Sequence, residues 1–355
     1  MNITVLLGGA SSERNVSLAS GLRIAQALRA RGHRVTSVDP ATGVLDEATE
    51  RRLLASKVGT TPPTPGELAR LAIRPTFAEG AEVRDADVVF LALHGGQGED
   101  GTIQALLDMA GVPYTGSGPM ASAIAMDKDV SKLLFRAAHV ATADWHMAPR
   151  DADAAFVETV LSSLGLPVIV KPSKQGSTVG LSMVKQREAL LPAIAEAFRH
   201  DDEVMVERFV PGRELTVGIL GDVALPVVEI IPKHEIYDYE CKYTAGMAVE
   251  EVPARITAEE TTRVQEAARR AFRALKLRGY ARIDFRMSSE DGEFYCLEAN
   301  TLPGMTELSL IPQAAAAAGI DFGALCERIV DLARPAEATA PSGAGSRGGG
   351  AMEGR

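Results

Sequence analysis

Ala281-Arg282-Ile283-Asp284-Phe285-Arg286-Met287 and Phe294-Tyr295-Cys296-Leu297-Glu298-Ala299-Asn300 are two strand-like runs joined through a short polar stretch, residues 288–292. Alternate side chains of a strand share a face. Arg282, Asp284 and Arg286 therefore point one way, and Ala281, Ile283 and Phe285 the other. On the returning strand the same rule groups Phe294, Cys296, Glu298 and Asn300. A turn centred near Asp291 sets Asp284 opposite or diagonal to Glu298. Facing carboxylates destabilise a strand pair. A divalent cation reverses that sign, because Asp, Glu and Asn oxygens are the ligands a hard ion such as Mg²⁺ takes. The competing reading is a solvated face on which Arg282 and Arg286 neutralise the acids. Continuation into Thr301-Leu302-Pro303-Gly304-Met305-Thr306 favours a site, since that loop adds backbone donors beside the carboxylates.

Outward from the hairpin, Thr257-Ala258-Glu259-Glu260 is a capping box. It opens a helix with Val264, Ala267, Ala268, Ala271, Phe272 and Leu275 on one face. Short strands over 168–171, 181–185, 203–209, 214–220 and 225–231 predict an antiparallel sheet beginning near Pro167. The first part of the chain has a different texture. Residues 3–7 read as a buried strand ending in Gly8-Gly9, followed by a helix carrying Leu18, Leu22, Ala25 and Leu28 and by a second strand over 35–38. Val88-Val89-Phe90-Leu91-Ala92-Leu93 is a continuous apolar run, as expected of a parallel strand covered on both faces. This segment reads as doubly wound, with functional loops at the carboxyl ends of its strands. Residues 46–80 hold several prolines and read as short helices and loop.

Three glycine-rich loops are candidate ligand contacts. Lys171-Pro172-Ser173-Lys174-Gln175-Gly176-Ser177-Thr178-Val179-Gly180 lies between two strands, so its amides, hydroxyls and lysines can fold over phosphates. It is not a Walker A loop, and a plain β-turn is the alternative. Gly8-Gly9-Ala10-Ser11-Ser12-Glu13 does not fit a dinucleotide fingerprint, and Glu13 reads equally as a helix cap or a ligand contact. His94-Gly95-Gly96-Gln97-Gly98-Glu99-Asp100-Gly101 follows the third strand in a similar position.

Composition bounds the rest. The chain has 355 residues, with 37 Lys plus Arg against 47 Asp plus Glu, and a formal net charge of −10. That length allows two or three domains. The acidic balance is a poor match to nucleic acid. No apolar run approaches the ~20 residues that span a bilayer. Cys241, Cys296 and Cys326 are too few and too scattered for a disulfide framework. The expectation is a cytoplasmic protein with no nucleic-acid or membrane partner. Residues from about 335 onward, rich in Gly, Ala, Ser and Pro, are expected to be disordered.

Taken together, these segments resemble the D-alanine–D-alanine ligases of the ATP-grasp superfamily. The resemblance runs in order from Ile3 to about Leu332. It rests on Leu7-Gly8-Gly9, Ser12-Glu13, Val16-Ser17, Ala92-Leu93-His94-Gly95, Tyr114-Thr115-Gly116-Ser117-Gly118 and Met126-Asp127-Lys128. Tyr237-Asp238-Tyr239-Glu240-Cys241-Lys242-Tyr243, Ala281-Arg282-Ile283-Asp284 and Glu298 through Thr306 complete it. It implies an α/β fold of the ATP-grasp kind: an N-terminal doubly wound parallel-sheet domain (1–120), a central ATP-grasp subdomain (121–213), a C-terminal ATP-grasp domain (214–334) and a tail (335–355).

The resemblance also implies site residues. Lys128 and Lys171 would hold ATP phosphates. Glu207, Arg208 and Val210 would line the adenine pocket, and Glu214 would meet the ribose. Asp284, Glu298 and Asn300 would bind Mg²⁺, with Mn²⁺ as a substitute. Glu13 would take the first D-alanine's ammonium, while Arg282 and the Gly304 amide stabilise the oxyanion. Lys242 and Ser309 would grip the second D-alanine's carboxylate, with His94 also among the substrate contacts. Ser177 and Tyr243 would join Glu13 in a hydrogen-bonded set beneath a closing lid. The implied activity is ATP-dependent formation of D-alanyl-D-alanine for peptidoglycan precursors, in a homodimer. A D-alanine–D-lactate ligase shares every ATP residue, and Tyr243 argues against it. From a different class, an inactive nucleotide-binding module would lack reason to keep Asp284, Glu298, Asn300 and Arg282.

Overall fold

A computed structural model describes residues 1–55, 63–233, 246–306 and 309–334. The apolar runs near the N-terminus form a four-stranded sheet from β1 (Asn2–Leu6), β2 (Arg34–Asp39), β3 (Gly43–Val44) and β4 (Val88–Leu91), in the order β3-β2-β1-β4. β1 runs parallel to β2 and β4, while β3 turns back against β2. All four residues of β4 are buried, as a covered parallel strand requires. The carboxyl ends of β1 and β4 deliver Glu13, at the start of the helix Arg14–Ala30, and His94 to one edge of this sheet.

The predicted antiparallel strands are present, but they divide into two sheets. One orders β5 (Trp145–Ala148), β8 (Val204–Arg208), β6 (Val168–Pro172) and β7 (Ser182–Val184). The other runs β12 (Ala248–Glu251), β11 (Val228–Pro232), β9 (Gly212–Leu220), β13 (Tyr280–Ser288) and β14 (Phe294–Asn300), with β10 (Val223–Ala224) paired to β9. The division falls between β8 and β9, at Phe209-Val210-Pro211-Gly212. Gly212 sits at φ +139°, and a Cβ there would lie 2.0 Å from the Met287 carbonyl oxygen, so the chain can turn into the next sheet only on a glycine. β5 lies upstream of Pro167 and was not anticipated, because Trp-His-Met-Ala offers neither alternation nor a β-branched run.

The capping box forms as read, with Glu260 N–H donating to Thr257 Oγ1 at 3.2 Å and Thr257 N–H to Glu260 Oε2 at 2.7 Å. The helix it opens, Ala258–Ala274, buries its apolar face on the third sheet, alongside the helices Pro119–Met126 and Lys128–Ala137. Full burial of a side chain such as Val264 contributes roughly 1.5–3 kcal/mol. The opposite side of that sheet, the helices Leu310–Ala317 and Phe322–Ala333, and the first sheet share one core.

One feature of the hairpin differs from simple alternation. Asp284 pairs directly with Glu298, but Phe285 pairs with Cys296, leaving Leu297 as an extra residue in β14. Such a bulge resets the alternation. Phe294 and Cys296 therefore face the core with Phe285, and do not share a face with Glu298 and Asn300. Among the described residues no helix is long and apolar enough to cross a membrane.

Candidate active site

Two adjoining cavities open where the three sheets converge. The first is lined by Glu13, His94, Glu99, Gly304 and Ser309. The second is lined by Lys171, Glu207, Arg208, Val210 and Glu214. Lys128, Gly176, Ser177, Arg282 and Glu298 line both, so they mark the junction.

At the junction the hairpin supplies the charges. Arg282 Nε and Nη2 donate to the two oxygens of Asp284 at 2.9 and 2.8 Å. Asp284 accepts further bonds from Thr216 Oγ1 at 2.6 Å and Asn300 Nδ2 at 2.9 Å. Glu298, directly opposite, pairs with Lys128 Nζ at 3.2 Å. The bulge lets Leu297 and Glu298 both line the second cavity, which strict alternation would forbid. Among the described residues no three acidic, His or Cys side chains close a cage around an ion. Two carboxylates and a carboxamide on one face nevertheless fit Mg²⁺, which is held by one or two carboxylates and completed by substrate phosphates. Arg282 and a cation would compete for the same Asp284 carboxylate.

The glycine-rich loop reaches over the junction from β6. Lys128 Nζ donates to Gln175 O at 2.9 Å, tying the loop to the helix Lys128–Ala137. Ser177 and Thr178 adopt left-handed backbone, at φ 49° and 60°, a conformation that persists only where surrounding contacts hold it. Ser177 Oγ donates to Glu13 Oε1, which supplies one such contact. Gly95 and Gly176 pack against this same carboxylate: a Cβ on either would lie 3.0 Å from Glu13 Oε2. The Glu13–Ser177 hydrogen bond that the resemblance implies is present. Tyr243 and Lys242 lie outside the described residues.

His94 lines the first cavity, yet both ring nitrogens are engaged by protein. Nδ1 donates to Leu302 O at 2.7 Å, and Nε2 lies 3.1 Å from Ser20 Oγ, which also accepts from Met305 N–H at 3.1 Å. Burial lowers the His94 pKa, consistent with a neutral ring that donates through Nδ1. Its contacts hold the Leu302–Met305 backbone in place; they do not present a free polar atom to a substrate. The Gly304 backbone is crowded by Ser309: a Cβ would meet Ser309 Oγ at 2.8 Å. Ser309 caps the helix Leu310–Ala317 and its hydroxyl accepts from Thr306 N–H at 2.9 Å. Helix N-termini favour anions.

In the second cavity Glu207 binds both Lys171, at 2.7 Å, and Lys132. Burial would push Glu207 up, but the two ammonium groups overcome it and hold its pKa down to about 2. Arg208 stacks over the Tyr295 ring at 5.3 Å, Val210 is buried, and Arg286 lies 3.4 Å from Glu214. Burial lowers the Arg286 pKa against the pull of Glu214.

Glu99 is the site carboxylate that the sequence reading did not single out. Its Oε2 accepts from Gly95 N–H at 2.7 Å. Burial, reinforced by the nearby Glu13 charge, pushes its pKa up to about 8. Its only sequence signal was membership of the His94–Gly101 glycine-rich loop.

With this geometry in place, comparison with known proteins decides the family. A family model described as the D-ala D-ala ligase N-terminus matches residues 2–117, and one described as the C-terminus matches residues 134–331. The chain belongs to the D-alanine–D-alanine ligase family. It is 44% identical over 331 residues to the D-alanine–D-alanine ligase of Geotalea uraniireducens, covering 93% of this chain and 95% of that one. The crystal structure of the Bacillus anthracis ligase complexed with ATP superposes with a TM-score of 0.74 at 31% identity, covering 93% of this chain and 96% of that one. The VanG D-Ala:D-Ser ligase of Enterococcus faecalis gives a TM-score of 0.76 at 27% identity, covering 94% of this chain and 99% of that one. The fold is thus the α/β ATP-grasp architecture of this ligase family.

Proposed function

We propose that this chain is an ATP-dependent ligase that joins two D-alanines into D-alanyl-D-alanine, a peptidoglycan precursor. The observation that carries the reading is the meeting of two cavities at Lys128, Arg282 and Glu298. A nucleotide in the second cavity and an amino acid in the first would bring phosphoryl donor and acceptor together there.

A carboxylate is a poor electrophile. Its oxygen attacks the γ-phosphorus of ATP, the bond to the β-phosphate oxygen breaks, and D-alanyl phosphate and ADP result. Negative charge spread over the transferring oxygens is stabilised by Lys128, Lys171 and Arg282. Asp284, Glu298 and Asn300 would hold Mg²⁺ or Mn²⁺, which supplies further charge neutralisation on the phosphates. Glu13 binds the ammonium of the first D-alanine. Ser309 and the helix behind it, together with Lys242, take the carboxylate of the second. The amine of that second molecule attacks the acyl carbon, Arg282 and the Gly304 amide stabilise the oxyanion, and phosphate leaves as the amide forms. Water would destroy the acyl phosphate. The loop carrying Ser177, pinned to Glu13, closes the site against it, and Tyr243 is the further residue that the resemblance implies for that set. Arg208, Val210 and Glu207 line the adenine end, and Glu214 the ribose. His94 acts by holding the Leu302–Met305 backbone.

The likeness to a D-Ala:D-Ser ligase makes D-serine the rival second substrate, with D-lactate the next. ADP release measured with D-alanine alone, then with D-serine or D-lactate added and products identified by mass spectrometry, tests the reading. D-alanyl-D-alanine as the dominant product supports it, and a mixed dipeptide or an ester dominating at equal concentrations overturns the substrate assignment. A homodimer, a cytoplasmic location and three structural units bounded at 120, 213 and 334 belong to the same proposal. Light scattering, cell fractionation and limited proteolysis test them.

A further inference from the structure

Lys132 is fully buried on the helix Lys128–Ala137, one turn after Lys128, and lines neither cavity. Its ammonium donates to Glu207 Oε1 and, at 2.5 Å, to Thr142 Oγ1, and it lies 5.0 Å from the centre of the Trp145 ring. Thr142 in turn donates to Cys296 O at 2.7 Å, beside the bulge of β14. The other oxygen of Glu207 binds Lys171 at 2.7 Å.

Two cations and one carboxylate leave this buried cluster with one excess positive charge. Lys132 is sealed inside, so the charge is presented to solvent only at Lys171, in the second cavity. Without Lys132, the full Glu207 charge would fall on Lys171 alone. The ammonium that should meet a phosphate would then be neutralised and drawn toward Glu207. Burial lowers the Lys132 pKa, while Glu207 works to raise it and Lys171 to lower it further.

We propose that Lys132 is a positioning residue for nucleotide binding: by taking half of Glu207, it leaves Lys171 free to pair with a polyphosphate. This rests on the reading of the second cavity as the ATP site. A charge balance of this kind carries a specific dependence on Glu207. Losing Lys132 is harmful only while Glu207 is ionised and unshared.

The test is a double-mutant cycle on the full chain, with ATP as the titrant in calorimetry and steady-state kinetics alongside. Lys132→Met should weaken ATP binding about 10–100-fold, the range seen when a group that orients a ligating residue is lost, with the KM for D-alanine unchanged within about twofold. Against a Glu207→Gln background, the same Lys132→Met change should cost less than about threefold, because the charge it balanced is gone. Equal losses in both backgrounds, or no loss in the first, would overturn the proposal and leave Lys132 as packing. Should the single variant fail to fold, the doubly changed chain buries no unpaired charge at this position, and its ATP affinity relative to Glu207→Gln alone decides the matter: a loss above about threefold overturns it. Failure of the unmodified protein to bind ATP would instead remove the ATP-site reading itself.

Discussion

At the wall of the second cavity the buried Glu207 lies between Lys171 and, behind it, the sealed Lys132, whereas the first cavity sets two carboxylates, Glu13 and Glu99, near a single histidine whose pKa burial lowers. Both are low-dielectric settings in which charge is costly unless paired. The groups facing the two cavities differ in sign: the Lys171 ammonium faces the second, and the Glu13 carboxylate, bonded by Ser177, faces the first beside a Glu99 whose pKa is pushed up to about 8. Arg282 stands between them on the wall they share. Under the proposed reading, this difference would favour the nucleotide on one side and the amino acid on the other.

The strongest way to break that comparison is at the shared wall. Glu298→Gln removes a proposed metal ligand and the partner of Lys128 while keeping shape, and should lower kcat by about a hundredfold or more, read as D-alanine-dependent ADP release. Near-normal turnover in a folded variant would remove Glu298 from the phosphoryl-transfer machinery. On the acidic side, Glu13→Gln should raise the KM for the first D-alanine by roughly 10–100-fold, from loss of a charge-assisted bond of about 1.5–3 kcal/mol. The ATP affinity should stay the same; a parallel loss would mean that the cavities are not separate in function. Ser309→Ala removes one neutral donor and leaves the helix N-terminus, so a rise of about threefold to tenfold in the second D-alanine's KM is expected.

A further test concerns pH. The Glu99 carboxyl is shifted up to about 8, chiefly by burial and then by Glu13. The folded protein therefore holds a proton there that the unfolded chain releases at ordinary carboxylate pH. Above the ordinary value near 4.5, the unfolded chain gains relative stability, and it continues to gain until pH passes about 8. Glu99→Gln removes this penalty, so its melting temperature relative to the unmodified protein should climb between pH 5 and about 8 and then level off. A difference that is flat with pH would show that Glu99 stays ionised in the folded state.

The parts of the fold that were legible in sequence are those fixed by short-range chemistry. Val88–Leu91 is apolar throughout, and Thr257 with Glu260 caps a helix whose buried face follows the 3.6-residue period. The facing of Asp284 and Glu298 was legible because alternation and one short turn suffice to place them. The bulge at Leu297 was not, since an extra apolar residue among apolar neighbours leaves no compositional mark. Its consequence, Cys296 turning to the core, reversed the expected face. Lys132 was invisible for another reason: its partners Thr142 and Glu207 stand 10 and 75 residues away, and on the helix it reads as an ordinary polar position. Glu99 shares that limit, because its shift comes first from burial in the folded chain and then from Glu13, which belongs to a different strand end.

The most direct test of the account follows an oxygen atom. If phosphoryl transfer at the shared wall activates the first amino acid, one carboxylate oxygen of D-alanine must leave with the phosphate when the amide forms. D-alanine labelled with ¹⁸O in both carboxylate positions is incubated with ATP and the protein, and the released phosphate is weighed by mass spectrometry. One ¹⁸O is expected in each phosphate formed, with ADP and dipeptide in equal amounts. Phosphate free of the label, or AMP in place of ADP, would contradict it.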